Sequence, residues 1–454
     1  MEKREWTRNR LDLYHHSMAN GVRMHDRAAR RLAETALQAV RDIEGRVKQG
    51  HAADFALKRF LHHHRELGGR DRRFISNLVF SYFRWFGWIA PMREGDLPAA
   101  CLQAWLLDAN APHSGADALA ALAEMAPEKF EPKGQATLEQ KLAAFKEWRN
   151  DKEHVSLRDL LPAWIWDALY IPPDKEKGPH SEAFIEACQV RPPTWLRLAQ
   201  GYEEVCLAEF AQRGIEMKRH TVLPNAVGIA TPFALSSIHA ARHGELEIQD
   251  LASQCVGLLC APRPGSSWWD VCAGSGGKSL HLADLTRDRG LIRGTDIRPG
   301  ILKEFARRVR KTRFTCIETA DIGEPEASEE NAYDGVLLDA PCSGLGTWSR
   351  NPDARWRTLP DQVDRCAATQ CELIERAAKA VRPGGRLIYS VCTLTRRETV
   401  DVVNAFLSRH ADYEFETIEH PLSHAPSRGI AWIWPWDGPC DGMFIAVMRR
   451  IPAH

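Results

Sequence analysis

Gly335-Val336-Leu337-Leu338-Asp339-Ala340-Pro341-Cys342-Ser343-Gly344 is the stretch on which the fold turns. Its opening apolar run reads as a buried strand, since no polar residue alternates with the hydrophobic ones. The run ends in a carboxylate, and a thiol follows three residues later. Outward from it, strands are expected at Ser267–Cys272, Leu291–Asp296, Phe314–Thr319 and Arg386–Val391, with one or two more between Tyr413 and Arg449. Helices are expected at Gly277–Thr286, Pro299–Lys311, Pro360–Val381 and Arg397–His410, and Pro383-Gly384-Gly385 reads as the turn after the long helix. Strand and helix alternate, which predicts a doubly wound α/β domain with a mostly parallel sheet.

The half of the chain before this pattern is different. Ala33, Ala36, Leu37, Val40, Ile43 and Val47 recur at helical spacing, and Gln49-Gly50 stops that helix. A second helix starts near Ala52, carries Phe55, Leu57, Phe60 and Leu61, and ends at Gly68-Gly69. Arg70–Trp85 forms one amphipathic helix with a basic entrance, read either as a packed helix with a solvated end or as an RNA-facing surface. No β-alternation appears, so residues 1–150 are expected to be an all-α domain, with a polar arm or short helix over residues 1–25. Residues 151–190 are charged and proline-rich, notably Pro172–Pro179, and read as a linker with helical pieces around Leu160–Leu169 and Glu182–Cys188. Pro192–Leu198 reads as the first strand of a small α+β segment over 191–255, which includes Thr231-Pro232; residues 256–454 make the α/β domain.

The whole chain sets bounds on function. Its 454 residues suit two or three domains, and 44% hydrophobic residues suffice for a sizeable core. Formal net charge is +0, so a polyanion must be held by local basic patches. No apolar run reaches membrane-span length, and Met1–Trp6 lacks the apolar core of a secretory signal. Twelve cysteines are scattered without a CxxC pair, and Cys255/Cys260 and Cys366/Cys371 are spaced too widely for a zinc knuckle. Reduced thiols in a cytoplasmic protein are expected, with no metal and no membrane. His62-His63-His64 would point in different directions on a helix and reads as a solvated face.

Two strand ends carry candidate chemistry. The first strand runs into Asp270-Val271-Cys272-Ala273-Gly274-Ser275-Gly276-Gly277-Lys278-Ser279, where glycines let a ligand approach the backbone. Asp296 ends the next strand and suits the two hydroxyls of a ribose; Asp321, after the third, suits an adenine amino group. A Walker A loop needs glycine at position 272, which is Cys; a dinucleotide loop needs a third glycine at 279, which is Ser. S-adenosylmethionine carries no phosphate and needs neither, and the loop alone leaves these readings, and an unliganded tight turn, open.

Cys342 follows the fourth strand and Cys392 ends the fifth, so neighbouring strands bring both thiols above the cofactor loop. A single strand-end cysteine is usually an inert core thiol. Two at adjacent strand ends, one beside Asp339, suit a pyrimidine-processing site. A thiolate added to carbon 6 of cytosine makes carbon 5 nucleophilic enough to take a methyl group; the scheme also needs a proton donor and a base.

Gln249-Asp250-Leu251-Ala252-Ser253, Asp270–Ser279, Asp296-Ile297, Asp339–Gly344, Tyr389-Ser390-Val391-Cys392-Thr393-Leu394 and Asp441-Gly442-Met443-Phe444 together resemble the NOL1/NOP2/Sun family of RNA 5-methylcytosine methyltransferases. The resemblance covers about Pro192 to Arg449 and implies a Rossmann-like S-adenosylmethionine-dependent catalytic domain. It implies that Cys392 attacks carbon 6, that Cys342 assists product release, and that Asp339 bonds the base and borders the cofactor. It implies that Cys272, Ala273, Gly274, Ser275, Gly276, Gly277 and Lys278 wrap the methionine part, with Asp296 at the ribose and Asp321 at the adenine. The helices around Ala52–Trp85 resemble a NusB-type RNA-binding domain, and Arg350–Trp356 resembles the branch of the family that acts on bacterial small-subunit rRNA. Three departures stand out: Gly274-Ser275 replaces the usual Ala-Pro of the first loop, Val391 replaces a threonine before the nucleophile, and Glu398-Thr399-Val400 replaces Glu-Asn-Glu.

RNA would be gripped by the basic helix containing Lys303, Arg307 and Arg308, and by Arg350, Arg355 and Arg357. Trp348 and Trp356 would stack on unpaired bases. The expected substrate is an unpaired cytosine of 16S rRNA, and the expected state a monomer. The rivals are the same chemistry on tRNA and an RNA-binding ribosome assembly factor with a weak catalytic site.

Overall fold

The structure, a computed structural model, describes residues 27–125, 136–149, 155–170, 180–230, 237–323 and 329–452. The arm expected over 1–25, Pro172–Pro179 and Thr231-Pro232 lie outside the described residues. The chain divides into two compact units. One comprises Met1–Trp166, Gly178–Val190 and Asn351–Thr358; the other comprises Asp167–Lys177, Arg191–Arg350 and Leu359–His454.

The first unit is helical in its described residues. The helix Arg27–Lys48 buries Leu32, Ala33, Ala36, Leu37, Val40, Ile43 and Val47 on one stripe. It packs chiefly on the helices Ser114–Leu122 and Gly69–Arg84, which also cover the almost wholly buried helix Leu97–Leu107. The helix Ala53–His63 buries Leu57 and Phe60 but leaves Phe55 exposed. It ends where Arg72 donates to the carbonyls of Leu61, His64 and Leu67. Arg72 sits on the next helix, Gly69–Arg84, whose other end places buried Arg84 2.8 Å from Asp108. Half of the basic face read from the sequence is therefore structural, while Arg70 and Arg73 stay exposed. The linker expected over 151–190 carries helical pieces where the sequence placed them, at Ile165–Ala168 and His180–Cys188. Leu157–Leu160 and His180–Cys188 form helices of this unit, and so does the late segment Asn351–Thr358.

The second unit holds the sheets. A small antiparallel sheet contains β1 (Thr194–Leu198), β2 (Lys218–Arg219), β3 (Ala226–Ile229) and β4 (Leu246–Ile248), in the order β2-β3-β1-β4. The main sheet contains β5 (Ser267–Asp270), β6 (Leu291–Asp296), β7 (Ile317–Asp321), β8 (Tyr333–Asp339), β9 (Val381–Val391) and β10 (Tyr413–Phe415). After the small pair β11 (Thr417–Glu419) and β12 (Pro426–Arg428) it is completed by β13 (Ile430–Ile433) and β14 (Met443–Arg450). Its order is β10-β14-β9-β8-β5-β6-β7, with β13 on β14. The five strands β5 to β9 are parallel, and β14 runs antiparallel to β9.

Alternate residues of the sheet feed two cores. Leu337 and Ile388 face the helices Leu251–Cys260 and Gly277–Leu285, while Val336, Leu338, Leu387 and Tyr389 face Pro360–Ala380 and Val400–Arg409. The doubly wound α/β expectation is met, with three local corrections. β7 begins at Ile317 because Asp288 takes the amides of Thr315 and Cys316. Pro383-Gly384-Gly385 is an irregularity inside β9, with the pairing register shifting between Tyr333 and Gly335. The last helix starts at Val400 because the preceding residues fold around the inward-turned Glu398.

Candidate active site

The parallel strands deliver their carboxyl ends to one edge, where ligands of open α/β sheets bind. β5 ends at Asp270, β6 at Asp296, β7 at Asp321 and β8 at Asp339. Asp296 and Asp321 are direct register partners. The loop after β5 turns at Gly274 (φ +56°) and Gly276 (φ +89°) and enters the helix Gly277–Leu285. A Cβ on Gly276 would lie 2.0 Å from the Phe305 ring, whereas Cβ positions on Gly274 and Gly277 face open space. Asp296 accepts from the Gly274 amide at 3.1 Å, and its carboxyl is held below the ordinary range by Arg298, which binds both oxygens. Asp321 is exposed and accepts from the Gly323 amide at 2.8 Å.

Beneath the loop lies a group the sequence reading passed over. Asp270 is fully buried; one oxygen accepts from Ser279 at 2.6 Å and the other has no hydrogen-bond partner. Burial pushes its carboxyl up to about 7. Cys272, in the loop itself, is pushed up to about 12 by burial and by Asp270, and so is a poor nucleophile.

Next to this loop the second cluster is dense. Lys278 reaches across to Asp339 with an Nζ–Oδ2 distance of 2.6 Å, and Ser390 donates to the other Asp339 oxygen at 2.8 Å. Burial pulls the Lys278 ammonium down, but Asp339, Asp270 and Cys392 outweigh it and leave it raised. The register pair Asp339↔Ser390 then places the two thiols together: Cys342 Sγ and Cys392 Sγ are 3.3 Å apart. The hydrogen bond to Cys392, then burial and the charges of Cys392 and Glu398, hold the Cys342 thiol well above its ordinary value. Backbone bonds lock the frame: the Gly346 amide donates to the Cys392 carbonyl at 3.0 Å, and the Gly442 amide to the Gly346 carbonyl at 2.7 Å. Only glycine fits at 346, where a Cβ would meet the Gly442 oxygen at 1.9 Å.

The residues expected to grip RNA are placed differently. Arg355 is fully buried in the helical unit, donating to the carbonyls of Arg84, Leu160 and Cys188, and burial pulls its guanidinium down to about 10. Trp356 donates to the Phe83 carbonyl at 2.7 Å and packs on Phe86. Trp348 is buried outright. Arg355 and Trp348 are packing residues that present neither a guanidinium fork nor a ring face to solvent, while Trp356 is half-buried. Arg350 bridges Asp250 (2.6 Å) and Asp441 (3.3 Å), joining two of the sequence motifs; burial, then Asp250, pushes the Asp441 carboxyl up to about 7. Arg308 clamps the cofactor loop through the carbonyl and hydroxyl of Ser275 and also pairs with Glu247. Lys303 and Arg307 are exposed, Arg307 pairing with Glu304 on its own helix. Arg355 therefore leaves the set of RNA contacts, because it is fully buried and its donors are spent on carbonyls; Arg350, Arg308 and Trp356 are half-buried and bonded to partners within the fold.

A doubly wound sheet with a glycine turn, acidic strand ends and no phosphate loop defines a Rossmann-like methyltransferase domain. The profile described as "16S rRNA methyltransferase RsmB/F" matches residues 257–449. Over 299 residues the chain is 31% identical to Ribosomal RNA small subunit methyltransferase B of Serratia proteamaculans, covering 65% of this chain and 67% of the relative. The relative of the same name from Xanthomonas campestris is 31% identical over 64% of this chain, and the Bacillus subtilis protein, a probable one, 33% over 54%. The chain spans 66% and 56% of the length of those two. The chain belongs to the RsmB/F methyltransferase family, and so to the NOL1/NOP2/Sun group. Two solved structures share its fold: PH0851, with a TM-score of 0.70 at 22% identity over 92% of this chain and 98% of that one, and NSun6 from Pyrococcus horikoshii, with 0.54 at 17% identity over 60% and 94%.

S-adenosyl-L-methionine is the cofactor that this membership carries, and the residues fit it. The open space over Gly274 and Gly277 leaves room beside the loop, and Asp296 and Asp321 offer acceptors to the nucleoside end. Arg298 is mostly exposed and can release Asp296 without disturbing the core.

Proposed function

We propose that this chain methylates carbon 5 of an unpaired cytosine in RNA, with 16S rRNA as substrate, through a covalent adduct on Cys392. The observation that carries the reading is the 3.3 Å thiol pair set beside the Asp339–Lys278–Ser390 cluster. A lone core cysteine needs no partner; two thiols in contact next to a half-buried ion pair suit a reaction with separate attack and release steps.

The bound cofactor supplies an electrophilic methyl group. The rest falls to the chain. Cys392, on losing its proton, adds to carbon 6 of the base and forms a carbon–sulfur bond, with the displaced electron pair stabilised at the ring. Asp339, held by Lys278 and Ser390, faces the polar edge of the base. After methyl transfer the carbon 5 proton passes to a base and the carbon–sulfur bond breaks, returning Cys392. Cys342 touches Cys392 and serves that release step. The exposed Lys303 and Arg307 attract phosphate, and the target base must leave its stack to reach the thiols.

The test is nucleoside mass spectrometry of 16S rRNA incubated with the protein and S-adenosylmethionine. New 5-methylcytosine is expected with the native protein and none with Cys392→Ala. Cys342→Ala should accumulate a covalent protein–RNA adduct that survives denaturing electrophoresis. Full activity of Cys392→Ala overturns the nucleophile, and methylation of tRNA in place of rRNA overturns the substrate.

A further inference from the structure

Next to the two cysteine loops lies a fully buried carboxylate that the reaction scheme does not use. Glu398 is 0% exposed. Five donors face it: the Ser343 amide and Gln370 amide on Oε1, and the hydroxyls of Ser343, Thr393 and Thr395 on Oε2. Among the described residues no lysine or arginine forms an ion pair with it. A buried carboxylate without a cation is tolerable only when hydrogen bonds satisfy its lone pairs, and here they do.

The identity of those donors matters. Ser343 is the residue after Cys342, and Thr393 is the residue after Cys392. Their hydroxyls also lie 2.9 Å apart. Gln370 ties the same carboxylate to the Pro341 carbonyl at 2.9 Å, one residue before Cys342. Tyr389, on β9 just before the second thiol, donates to the Glu398 carbonyl at 2.7 Å. Each cysteine loop is thus fastened, by the residue next to its thiol, to one rigid acceptor. β8 and β9 pair only as far as Asp339 and Ser390; beyond that register the two loops are joined by the Gly346 amide on the Cys392 carbonyl and by the side chains gathered on this carboxylate.

Resting on the methyl-transfer reading above, we infer that Glu398 is a positioning residue that holds Cys342 and Cys392 in contact through Ser343 and Thr393 without touching RNA or cofactor. Its charge also favours the protonated form of Cys342, together with Cys392. Tyr389, Cys366 and Cys371 lie around the same carboxylate and thiols and carry no positive charge to offset it.

Glu398→Gln replaces one acceptor oxygen by a donor and sets it against groups that also donate. With 16S rRNA as substrate, kcat should fall by about a hundredfold, as for a small misplacement of reacting groups, while KM for RNA and cofactor changes by less than about twofold. A second readout needs no turnover. Arsenite bridges two adjacent thiols, forming two arsenic–sulfur bonds with loss of two waters, and should shield Cys342 and Cys392 from iodoacetamide in the native protein. That shielding should be lost in Glu398→Gln. Thr393→Val, of equal shape without the hydroxyl, should behave like Glu398→Gln, and Thr393→Ser should restore both readouts; this pair decides the matter if Glu398→Gln does not fold. Native kcat or retained shielding in folded Glu398→Gln overturns the inference. If the native protein makes no 5-methylcytosine, the proposed function falls, while the arsenite readout still decides the role of Glu398.

Discussion

Asp270 shows how much one side chain can store. Its carboxyl is raised to about 7 by burial, against an ordinary aspartate in the unfolded chain. Between about pH 4 and pH 7 the unfolded state has lost this proton and the folded state keeps it. Stability from this group is therefore fully present below pH 4 and is lost as pH rises toward 7. Asp441, raised to about 7, acts in the same direction. Asp270→Asn should flatten the fall of melting temperature between pH 5 and pH 7, because the buried amide has no proton to lose. A parallel slope in variant and native protein would count against a buried neutral acid. At the same scale the sequence announced Cys342, Cys392, Asp339 and Lys278. It gave no sign that Asp270 lacks a partner for one oxygen, because that depends on neighbours distant in the chain.

At the scale of elements, the loop between β5 and its helix is fixed by glycine. Gly276 combines a left-handed φ of +89° with the Phe305 ring against its Cα. Gly276→Ala should destabilise the protein by about 2–4 kcal/mol, adding backbone strain to overpacking, and urea denaturation would measure it. Gly274→Ala shares the strain but meets no neighbour within 4 Å, so it should cost less. The segment Asn351–Thr358 is the other instructive element. Its arginines and tryptophan read from sequence as RNA grip, yet Arg355 feeds three carbonyls in the helical unit. Arg355→Met strips those carbonyls and should cost about 3 kcal/mol. Arg397→Met, at an exposed position, should stay within about 0.5 kcal/mol. Equal costs would return Arg355 to the surface.

For the molecule as a whole, an all-α domain, a linker, a small α+β segment and an α/β domain were expected in chain order, whereas the two compact units of the fold draw on segments that cross that order. Leu157–Leu160, His180–Cys188 and Asn351–Thr358 join the helical unit, while Asp167–Lys177 belongs with the sheets. Among the described residues no helix is long and apolar enough to cross a membrane. Binding of S-adenosylmethionine to the folded chain alone should stabilise it by about 2.7 kcal/mol at roughly a hundred times Kd, read as a rise in melting temperature. No rise would favour the assembly-factor reading over methyl transfer. The order of strands and helices in the sheet unit was legible because each element carries its own period of apolar residues, and the motifs were legible because they sit at strand ends. The partnering of charges was not. An arginine at 350, 355 or 308 has the same composition whether it meets phosphate, carboxylate or carbonyl. Only the packing of segments distant in the chain engaged those donors, brought two thiols to 3.3 Å and turned Glu398 inward beside them.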